Sequence, residues 1–196
     1  DQNDVLFTIY TPAITVTSPN GGEKWRLGTA HNITWTSASV ANVKIEYSPN
    51  NGTSWTQIIG STPANAGSYS WTVPSSAIVS CKVRISDVSD SNLKDESDLF
   101  FSIIRPILYL SKPNGGESFA IGSQAEIWWS MDYVSNVKIE YTTNNGAAWN
   151  SIIKNMTANV QKYTWTIPSN ASTDCKVRIS DAADSTVNDI SDNSFT

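Results

Sequence analysis

The sequence repeats itself at a spacing of 94 residues, and this repeat limits the possible folds more than any other feature. A shift of 94 positions aligns the two halves of the chain without a gap. Three motifs recur at that shift: PNGGE at 19–23 and 113–117, NVKIEY at 42–47 and 136–141, and CKVRISD at 81–87 and 175–181. A gapless repeat of this length predicts two copies of one domain.

The same shift predicts the domain boundaries and places one extra strand ahead of them. Residues 4–10 align with residues 98–104, which end the first copy, and residues 192–196 stop partway through the equivalent stretch. The N-terminal segment is therefore expected to be equivalent to the last strand of a preceding repeat. The predicted units are a leading strand at 1–12, a first domain at 13–104 and a second domain at 105–196.

Each copy is predicted to be all-β, because apolar and polar residues alternate along several short segments. Val43, Ile45 and Tyr47 are separated by polar residues, and residues 81–85 show the same period of two. This period is typical of half-buried strands, and turn-forming runs such as PNNG at 49–52 separate them. About seven short strands per copy predict two tandem antiparallel β-sandwiches of the Ig-like or fibronectin III-like type, plus one extra N-terminal strand.

Charge and apolar content limit the partners. The chain has 18 acidic and 13 basic residues and a formal charge of -5, so neither nucleic acid nor an anionic lipid surface is expected as a partner. No apolar segment is long enough to span a membrane. The high content of Ser, Thr and Asn favours an extracellular or cell-surface location.

The repeated motifs resemble those of a known group of domains. The pattern S-P-N-G-G-E-x-W, then V-K-I-E-Y, C-K-V-R-I-S-D and S-D-x-x-F resembles the tandem Ig-like repeats of secreted or surface bacterial and archaeal proteins. It is also similar to the Ig-like domain of the yeast cell-wall β-glucan assembly family. The resemblance implies a spacer, stalk or adhesive module and no catalytic residues. The second copy departs from the pattern at Phe119, which stands at the position of Trp25.

The residues that enzymes use for catalysis are few. His31 is the one histidine of the chain, and the second copy has none. Cys81 and Cys175 occupy equivalent positions on inward-facing strands of separate domains, so each is predicted to be a small buried side chain rather than half of a disulfide. Without a base beside a nucleophile, and without a cluster of metal ligands, the chain is predicted not to be an enzyme.

Aspartates that follow the CKVRIS strand of each copy are the candidate metal ligands. Several carboxylates in one inter-strand segment could bind Ca²⁺ through oxygen, although their spacing is not that of an EF-hand loop. The alternative is turn chemistry, in which Asp side chains accept backbone N–H bonds. No other cofactor is expected. The candidates are Asp87, Asp90, Asp95, Asp98, Asp181, Asp184, Asp189 and Asp192.

Two tryptophans are candidates for an exposed aromatic binding surface. Trp128 precedes Trp129 on the same predicted strand, so the two side chains point to opposite faces and Trp128 lies on the outer one. Trp25 is the second candidate. Sugar rings stack on exposed aromatic faces, which would make glycans possible partners. Tryptophans at inward positions, such as Trp35, are predicted to lie in the core.

The sequence favours a non-enzymatic structural protein that forms a stalk, a surface array or a filament. An incomplete sandwich exposes unpaired backbone at its edge, which the leading strand of another molecule could cover by β-strand addition. The predicted partners are copies of the chain or neighbouring repeats of the same chain. The alternative is a carbohydrate-binding or adhesive module of a larger secreted protein. The predicted assembly strand uses Val5, Leu6, Phe7, Ile9 and Tyr10.

Overall fold

The computed structural model describes residues 11–196 and divides the chain into two compact units. One unit ends at Arg105, and the other is Pro106–Thr196. Apart from two short 3-10 turns, Ala64–Ala66 and Ala158–Val160, every regular element between residues 11 and 196 is a β-strand. In each unit the strands form two sheets, and the two sheets enclose one apolar core. The all-β sandwich class predicted from the sequence is confirmed.

The first unit has a three-stranded sheet, β1-β3-β6, and a larger sheet in the order β2-β9-β7-β4-β5, with β8 paired to β7. All of its pairings are antiparallel except that of β2 with β9, which is parallel. The chain crosses from one sheet to the other between β1 and β2. Its strands are β1 (Ala13–Ser18), β2 (Lys24–Arg26), β3 (Ala30–Ala38), β4 (Asn42–Ser48), β5 (Thr56–Pro63), β6 (Ser68–Thr72), β7 (Ile78–Asp87), β8 (Lys94–Glu96) and β9 (Phe101–Ile104).

The second unit has a three-stranded sheet, β10-β11-β14, and a four-stranded sheet, β13-β12-β15-β16. An isolated bridge between Cys175 and Phe195 lies beyond these strands. Residues 118–120, at the positions equivalent to β2, form no strand. The strands are β10 (Ile107–Lys112), β11 (Gln124–Asp132), β12 (Asn136–Thr142), β13 (Asn150–Thr157), β14 (Lys162–Thr166), β15 (Lys176–Asp181) and β16 (Asn188–Ile190).

The alternating sequence pattern explains how each core forms. Along β4 and β12, the inward positions Val43, Ile45, Val137 and Ile139 are all fully buried. Successive side chains of a strand point to opposite faces, so one face of each strand enters the core and the other faces outward.

Tryptophan Nε1 groups in both cores have buried partners. Trp35 donates to the Ala64 carbonyl at 2.8 Å, and Trp129 donates to the Ala158 carbonyl at the same distance. Because a buried donor without a partner is costly, these bonds allow large indole rings to sit in the core.

A charged pair recurs on the strands of both units. Arg84 Nη2 donates to Glu46 Oε2 at 2.8 Å, and Arg178 Nη2 donates to Glu140 Oε2 at 2.7 Å. Burial alone would raise the pKa of Glu46, but hydrogen bonds and charge from Arg84 and Lys44 outweigh it and lower the pKa. The Arg84 guanidinium also lies over the Trp55 ring, 4.1 Å from the centroid. The repeated motif residues therefore support the fold.

The PNGGE motif acts as a loop clamp. The Glu23 carboxylate accepts the backbone N–H groups of Asn20 and Gly21, at 2.7 and 2.8 Å. Gly21 has a φ of 140°, and a Cβ there would lie 2.5 Å from the Leu99 Cβ, so only glycine fits. Ser97 Oγ donates to the Pro19 carbonyl at 2.7 Å and ties the same loop to the larger sheet.

Candidate functional site

The two units differ most at one edge of the larger sheet. In the first unit, β9 lies between β2 and β7, and its residue Ile103 is fully buried. Ile103 is paired with Trp25 of β2 and with Ile78 of β7. The next residue, Ile104, accepts the backbone N–H of Leu27 at 3.0 Å. Burying an isoleucine side chain stabilises a domain by about 1.5–3 kcal/mol, so this residue closes the edge of the first core.

In the second unit, Phe195 and Thr196 take the positions that Phe101 and Ser102 of β9 have in the first unit, by the 94-residue shift. Phe195 donates its backbone N–H to the Cys175 carbonyl at 2.9 Å. Thr196 accepts the backbone N–H of Phe119 at 2.7 Å. This edge therefore keeps the beginning of the strand that completes the first sandwich.

A mainly apolar cavity lies at this edge of the second unit. Its open volume, including the mouth, is ≈ 460 Å³. Ile167 is half-buried there, whereas Val73, its counterpart in the first unit, is only 2% exposed. The side chains that define the cavity are Phe119, Tyr141, Trp165, Ile167, Cys175 and Phe195. We call this set the edge groove.

The solvent exposure of the two cysteines also differs between the units. Cys81 has no solvent exposure, and Cys175 retains 9%. Burial raises the pKa of the Cys81 thiol to about 11, partly offset by a backbone hydrogen bond from Ile103. Burial also raises the pKa of the Cys175 thiol. Both thiols are unpaired and buried, as the sequence predicts, but only Cys175 lines an open groove.

The edge groove was not predicted from the sequence. Its walls come from residues far apart in the chain, such as Phe119, Tyr141 and Cys175, so no local pattern indicates it. The predicted assembly strand residues Val5, Leu6, Phe7, Ile9 and Tyr10 lie outside the described residues.

The prediction that Trp25 is exposed is wrong. Trp25 is only 7% exposed, because β9 pairs with its strand and brings Phe101 to within 4.9 Å, measured between ring centroids. His31 stacks on the other side at 4.6 Å, with only 2° between the two planes. His31 Nε2 also lies 2.9 Å from Thr29 Oγ1. The local sequence did not show this burial, since the partner strand lies more than 70 residues further along the chain.

Trp128 lies on the outer face of the β10-β11-β14 sheet and is 41% exposed. Its Nε1 donates to Glu126 Oε2 at 2.9 Å, and Lys162 Nζ lies 5.5 Å from its ring centroid. Tyr109, on the neighbouring strand, is 59% exposed. At the equivalent positions the first unit has only small polar side chains: Thr34 for Trp128, Asn32 for Glu126, Ser68 for Lys162 and Thr15 for Tyr109. We call the second unit's set the aromatic face.

The eight candidate aspartates accept hydrogen bonds at separate places. Asp87 and Asp181 cap turns, as do Asp90 and Asp184. Asp95 accepts the Val16 N–H and Asp189 the Leu110 N–H, while Asp98 and Asp192 bond to asparagine side chains. Among residues 11–196, no three His, Cys, Asp or Glu side chains come together as a possible metal site. Calcium binding stays a prediction from the sequence.

Turn hydrogen bonds lower the pKa of Asp87. The backbone N–H of Ser89 makes the largest contribution, followed by its hydroxyl. Both groups donate to the same Asp87 oxygen at 2.8 Å. An aspartate in a turn accepts hydrogen bonds in this way from the backbone two residues further along the chain.

Comparison with known proteins yields likeness in fold alone. No known protein family and no curated protein sequence matches the chain. Among solved structures, the fibronectin(III)-like modules of Clostridium thermocellum CbhA match at 18% identity, over 93% of this chain and 92% of theirs, with a TM-score of 0.33. A three-domain Ig fragment of titin matches at 12% identity, over 95% of this chain and 66% of that one, with a TM-score of 0.45.

A second titin fragment, in complex with telethonin, matches at 12% identity, over 95% of this chain and 97% of that one, with a TM-score of 0.33. By their names, these neighbours are fibronectin III-like modules and titin domains. The resemblance to the yeast cell-wall family stays a prediction. In the described part of the chain, no helix is long and apolar enough to cross a membrane.

Proposed function

We propose that this chain is a non-enzymatic extracellular structural protein whose Ig-like or fibronectin III-like units form a stalk, a surface array or a filament. The observation that carries the proposal is that the repeated motif residues hold the same framework in both units. The Glu–Arg pair on neighbouring strands and the glutamate that clamps the PNGGE loop occur in each unit at nearly the same distances. Exposed sheet edges favour assembly by strand addition.

The placement of the reactive side chains supports a role without catalysis. His31, the one histidine, is stacked on a buried tryptophan, and both cysteines are buried with a raised pKa. Glu23, Glu46 and the candidate aspartates hold loops and strands together through hydrogen bonds. Nucleophilic catalysis needs a base within reach of a nucleophile, whereas these side chains form contacts that stabilise the fold.

Head-to-tail β-strand addition is the proposed mode of assembly. Residues 1–10 of one molecule would cover the edge of the second unit of the next. Because donor and acceptor lie at different places on the same chain, each contact leaves another donor and another acceptor available. Identical contacts that do not close into a ring give a filament.

The experiment that tests this proposal compares chains 1–196 and 11–196 by light scattering and negative-stain electron microscopy. We expect the longer chain to form filaments and the shorter one to stay near its monomer mass. Two chains that both remain monomeric at all concentrations would rule out self-assembly. Two chains that both form filaments would rule out residues 1–10 as the connecting segment.

A second candidate function, a carbohydrate-binding or adhesive module, is favoured by the aromatic face. Trp128 and Tyr109 are diagonal neighbours on one sheet surface, and Lys162 and Glu126 lie beside the indole. An exposed ring flanked by hydrogen-bonding groups can stack on a sugar ring. A glycan array of the wild-type chain and the Trp128→Ala variant tests this, with Thr34→Ala in the first unit as the matched control. Hits lost only in Trp128→Ala would favour it, and an array without hits would exclude it.

A further inference from the structure

We infer that the second unit holds a binding site for a neutral pyranose sugar, in a groove between the Trp128 ring and strand β10. The inference rests on the second candidate function above, a carbohydrate-binding module, and names the ligand class and the groups that hold it. The groove has an open volume, including the mouth, of ≈ 520 Å³. Small-molecule sites have volumes of about 300–1,000 Å³. We call it the tryptophan groove, and it is lined by Ser111, Lys112, Glu126 and Trp128.

A β-bulge brings two successive side chains of β10 into the tryptophan groove. The register of β10 against β11 shifts between Leu110 and Lys112, so that Lys112 is paired with Trp128. Ser111 and Lys112 are both exposed, and both line the groove. Neighbouring side chains of a regular strand point to opposite faces, and a bulge changes that direction. The bulge therefore supplies the groove with a hydroxyl and an ammonium group.

Trp128 stands on the middle strand of its sheet, with β14 on one side and β10 on the other. On the β14 side it is paired with Lys162, whose Nζ lies 5.5 Å from the ring centroid. The indole Nε1 donates to Glu126 Oε2 at 2.9 Å, which holds the edge of the ring in place. The tryptophan groove lies on the β10 side. The indole is therefore a positioned aromatic wall of this groove.

The first unit has the same bulge, but there two small side chains bond directly to each other. Thr17 Oγ1 lies 2.7 Å from Thr34 Oγ1 across the strand pair. By the 94-residue shift, Ser111 replaces Thr17 and Trp128 replaces Thr34. A bond between two hydroxyl groups cannot form in the second unit, and the serine lines a groove instead. The fold accepts both versions, so the larger side chain is not required by the framework.

The charges around the tryptophan groove balance, which favours a neutral ligand. The cations are Lys112 and Lys162, and the anions are Glu126 and Glu117, which lines the adjoining surface. Burial alone would raise the pKa of Glu117, but backbone hydrogen bonds and the charge of Lys112 outweigh it and lower the pKa. Both carboxylates are therefore ionised at neutral pH. An acidic sugar stacked on Trp128 would meet the Glu126 carboxylate, and like charges at a binding site oppose association.

A neutral pyranose matches both the apolar and the polar parts of the tryptophan groove. Its ring C–H groups pack on an aromatic face, and its hydroxyl groups both donate and accept hydrogen bonds. They can donate to Glu126 and accept from Lys112 and Ser111. Glu126 already bonds to the indole and lies 3.8 Å from the Lys162 ammonium, but an ionised carboxylate has about four acceptor positions. Acceptor capacity thus remains for a sugar hydroxyl.

The test titrates the full chain with soluble tetrasaccharides and follows the sugar protons by saturation-transfer nuclear magnetic resonance, which suits assemblies of any size. The neutral probes are cellotetraose, maltotetraose, xylotetraose and mannotetraose, and the acidic probe is tetragalacturonate. Probe concentrations up to about 10 mM detect a Kd of about 1 mM. We expect at least one neutral probe to bind, with the strongest transfer to its ring C–H protons, and tetragalacturonate to bind more weakly.

Variants locate the site. Trp128→Ala should raise the Kd by about tenfold or more, because it removes the stacking surface. Lys112→Met keeps the aliphatic stem but removes the ammonium, and should raise the Kd about two- to tenfold. The matched controls in the first unit are Thr34→Ala and Ser18→Ala, which occupy the equivalent positions and should leave the Kd unchanged. Thermal unfolding of each variant verifies that it is folded.

A neutral probe that binds wild-type and Trp128→Ala equally well would overturn the site, while carbohydrate binding as a function would hold. Binding of tetragalacturonate in place of every neutral probe would overturn the ligand class. If no probe binds, the inference falls, and the glycan array decides separately whether the chain binds any other glycan. Filament formation by the same chain in light scattering is independent of all three outcomes.

Discussion

The two units have the same framework and differ at their margins. Both use a Glu–Arg pair on neighbouring strands, a Glu carboxylate that clamps the PNGGE loop, and a serine that ties this loop to the larger sheet. In the first unit β2 pairs with β9, whereas the equivalent residues 118–120 of the second unit form no strand, and only the second unit has a large aromatic residue on the outer face of its three-stranded sheet. The shared residues therefore maintain the sandwich, and the features that differ are where function is to be sought.

The largest expected difference concerns the paired phenylalanines at the sheet edge. Phe101→Ala should destabilise the first unit by about 3–5 kcal/mol, because it leaves a cavity in a closed core. Phe195→Ala should cost the second unit less, since the Phe195 ring already lines an open groove. Hydrogen exchange read separately for the two units checks this. Equal losses of stability in the two units would show that their cores are equally closed at these phenylalanines.

The next largest effect concerns the glutamates of the Glu–Arg pairs, and it should be the same in both units. Glu46→Gln and Glu140→Gln each remove a charged hydrogen-bond acceptor from arginine and should destabilise their units by about 1–3 kcal/mol. The pKa of both carboxyls is lowered in the folded state. Their stabilisation is therefore full above the unfolded pKa of about 4.5 and disappears as the pH falls through the folded value.

Denaturant unfolding between pH 3 and 7 checks the prediction for these carboxyls. Each variant should lose part of the acid dependence of its own unit, and the other unit should be unaffected. An acid dependence that both variants retain in full would show that other carboxyls cause it.

A smaller effect should distinguish the units near neutral pH. Burial lowers the pKa of His31, so the unfolded state binds more protons and the stability of the first unit falls as the pH drops below about 6.5. Alanine occupies the equivalent position, Ala125, and the second unit lacks this contribution. We expect His31→Gln to change stability by no more than about 1 kcal/mol and to remove the difference between the units from pH 7 to pH 5. If the difference persists, it comes from another group.

The smallest expected change in stability is at the aromatic face. Trp128→Ala removes an exposed ring and should change the stability of the second unit by no more than about 0.5 kcal/mol. A loss of glycan binding or adhesion in this variant would then reflect a lost contact rather than unfolding. Thermal unfolding, with Thr34→Ala as the control, checks the first point. A drop of several kcal/mol would mean that the ring supports the sheet.

Local sequence was sufficient to predict the longer strands and most of the core. The alternation at Val43 and Ile45 identified β4 and its buried face, and Trp35 was correctly placed inside. Trp25 was placed incorrectly because its burial depends on β9, a partner distant in sequence. Such non-local pairing leaves no periodic signal in a three-residue strand such as β2.

The candidate site required the structure for a similar reason. Ile103 is one of several isoleucines in the first copy, and only the packing shows that it is fully buried on a strand between β2 and β7. The roles of the aspartates were likewise open in the sequence, because a turn and a calcium loop both use closely spaced carboxylates.

The proposed head-to-tail strand addition is tested most directly by a disulfide trap. Phe101 lies opposite Cys81, and Phe195 lies opposite Cys175 with reciprocal backbone bonds. Such a pair has a Cα–Cα distance of about 5.5 Å, within the range for a disulfide. Because the 94-residue shift aligns Phe7 with Phe101, a Phe7→Cys chain should oxidise through Cys175 of the next copy. The control, Thr8→Cys, points its thiol to the opposite face of the donor strand.

The readout is non-reducing electrophoresis, with the linked peptides identified by mass spectrometry. We expect a ladder of covalent multimers for Phe7→Cys, joined between residues 7 and 175, and only monomers for Thr8→Cys. Monomers alone for both variants, or the same ladder from both, would contradict head-to-tail strand addition.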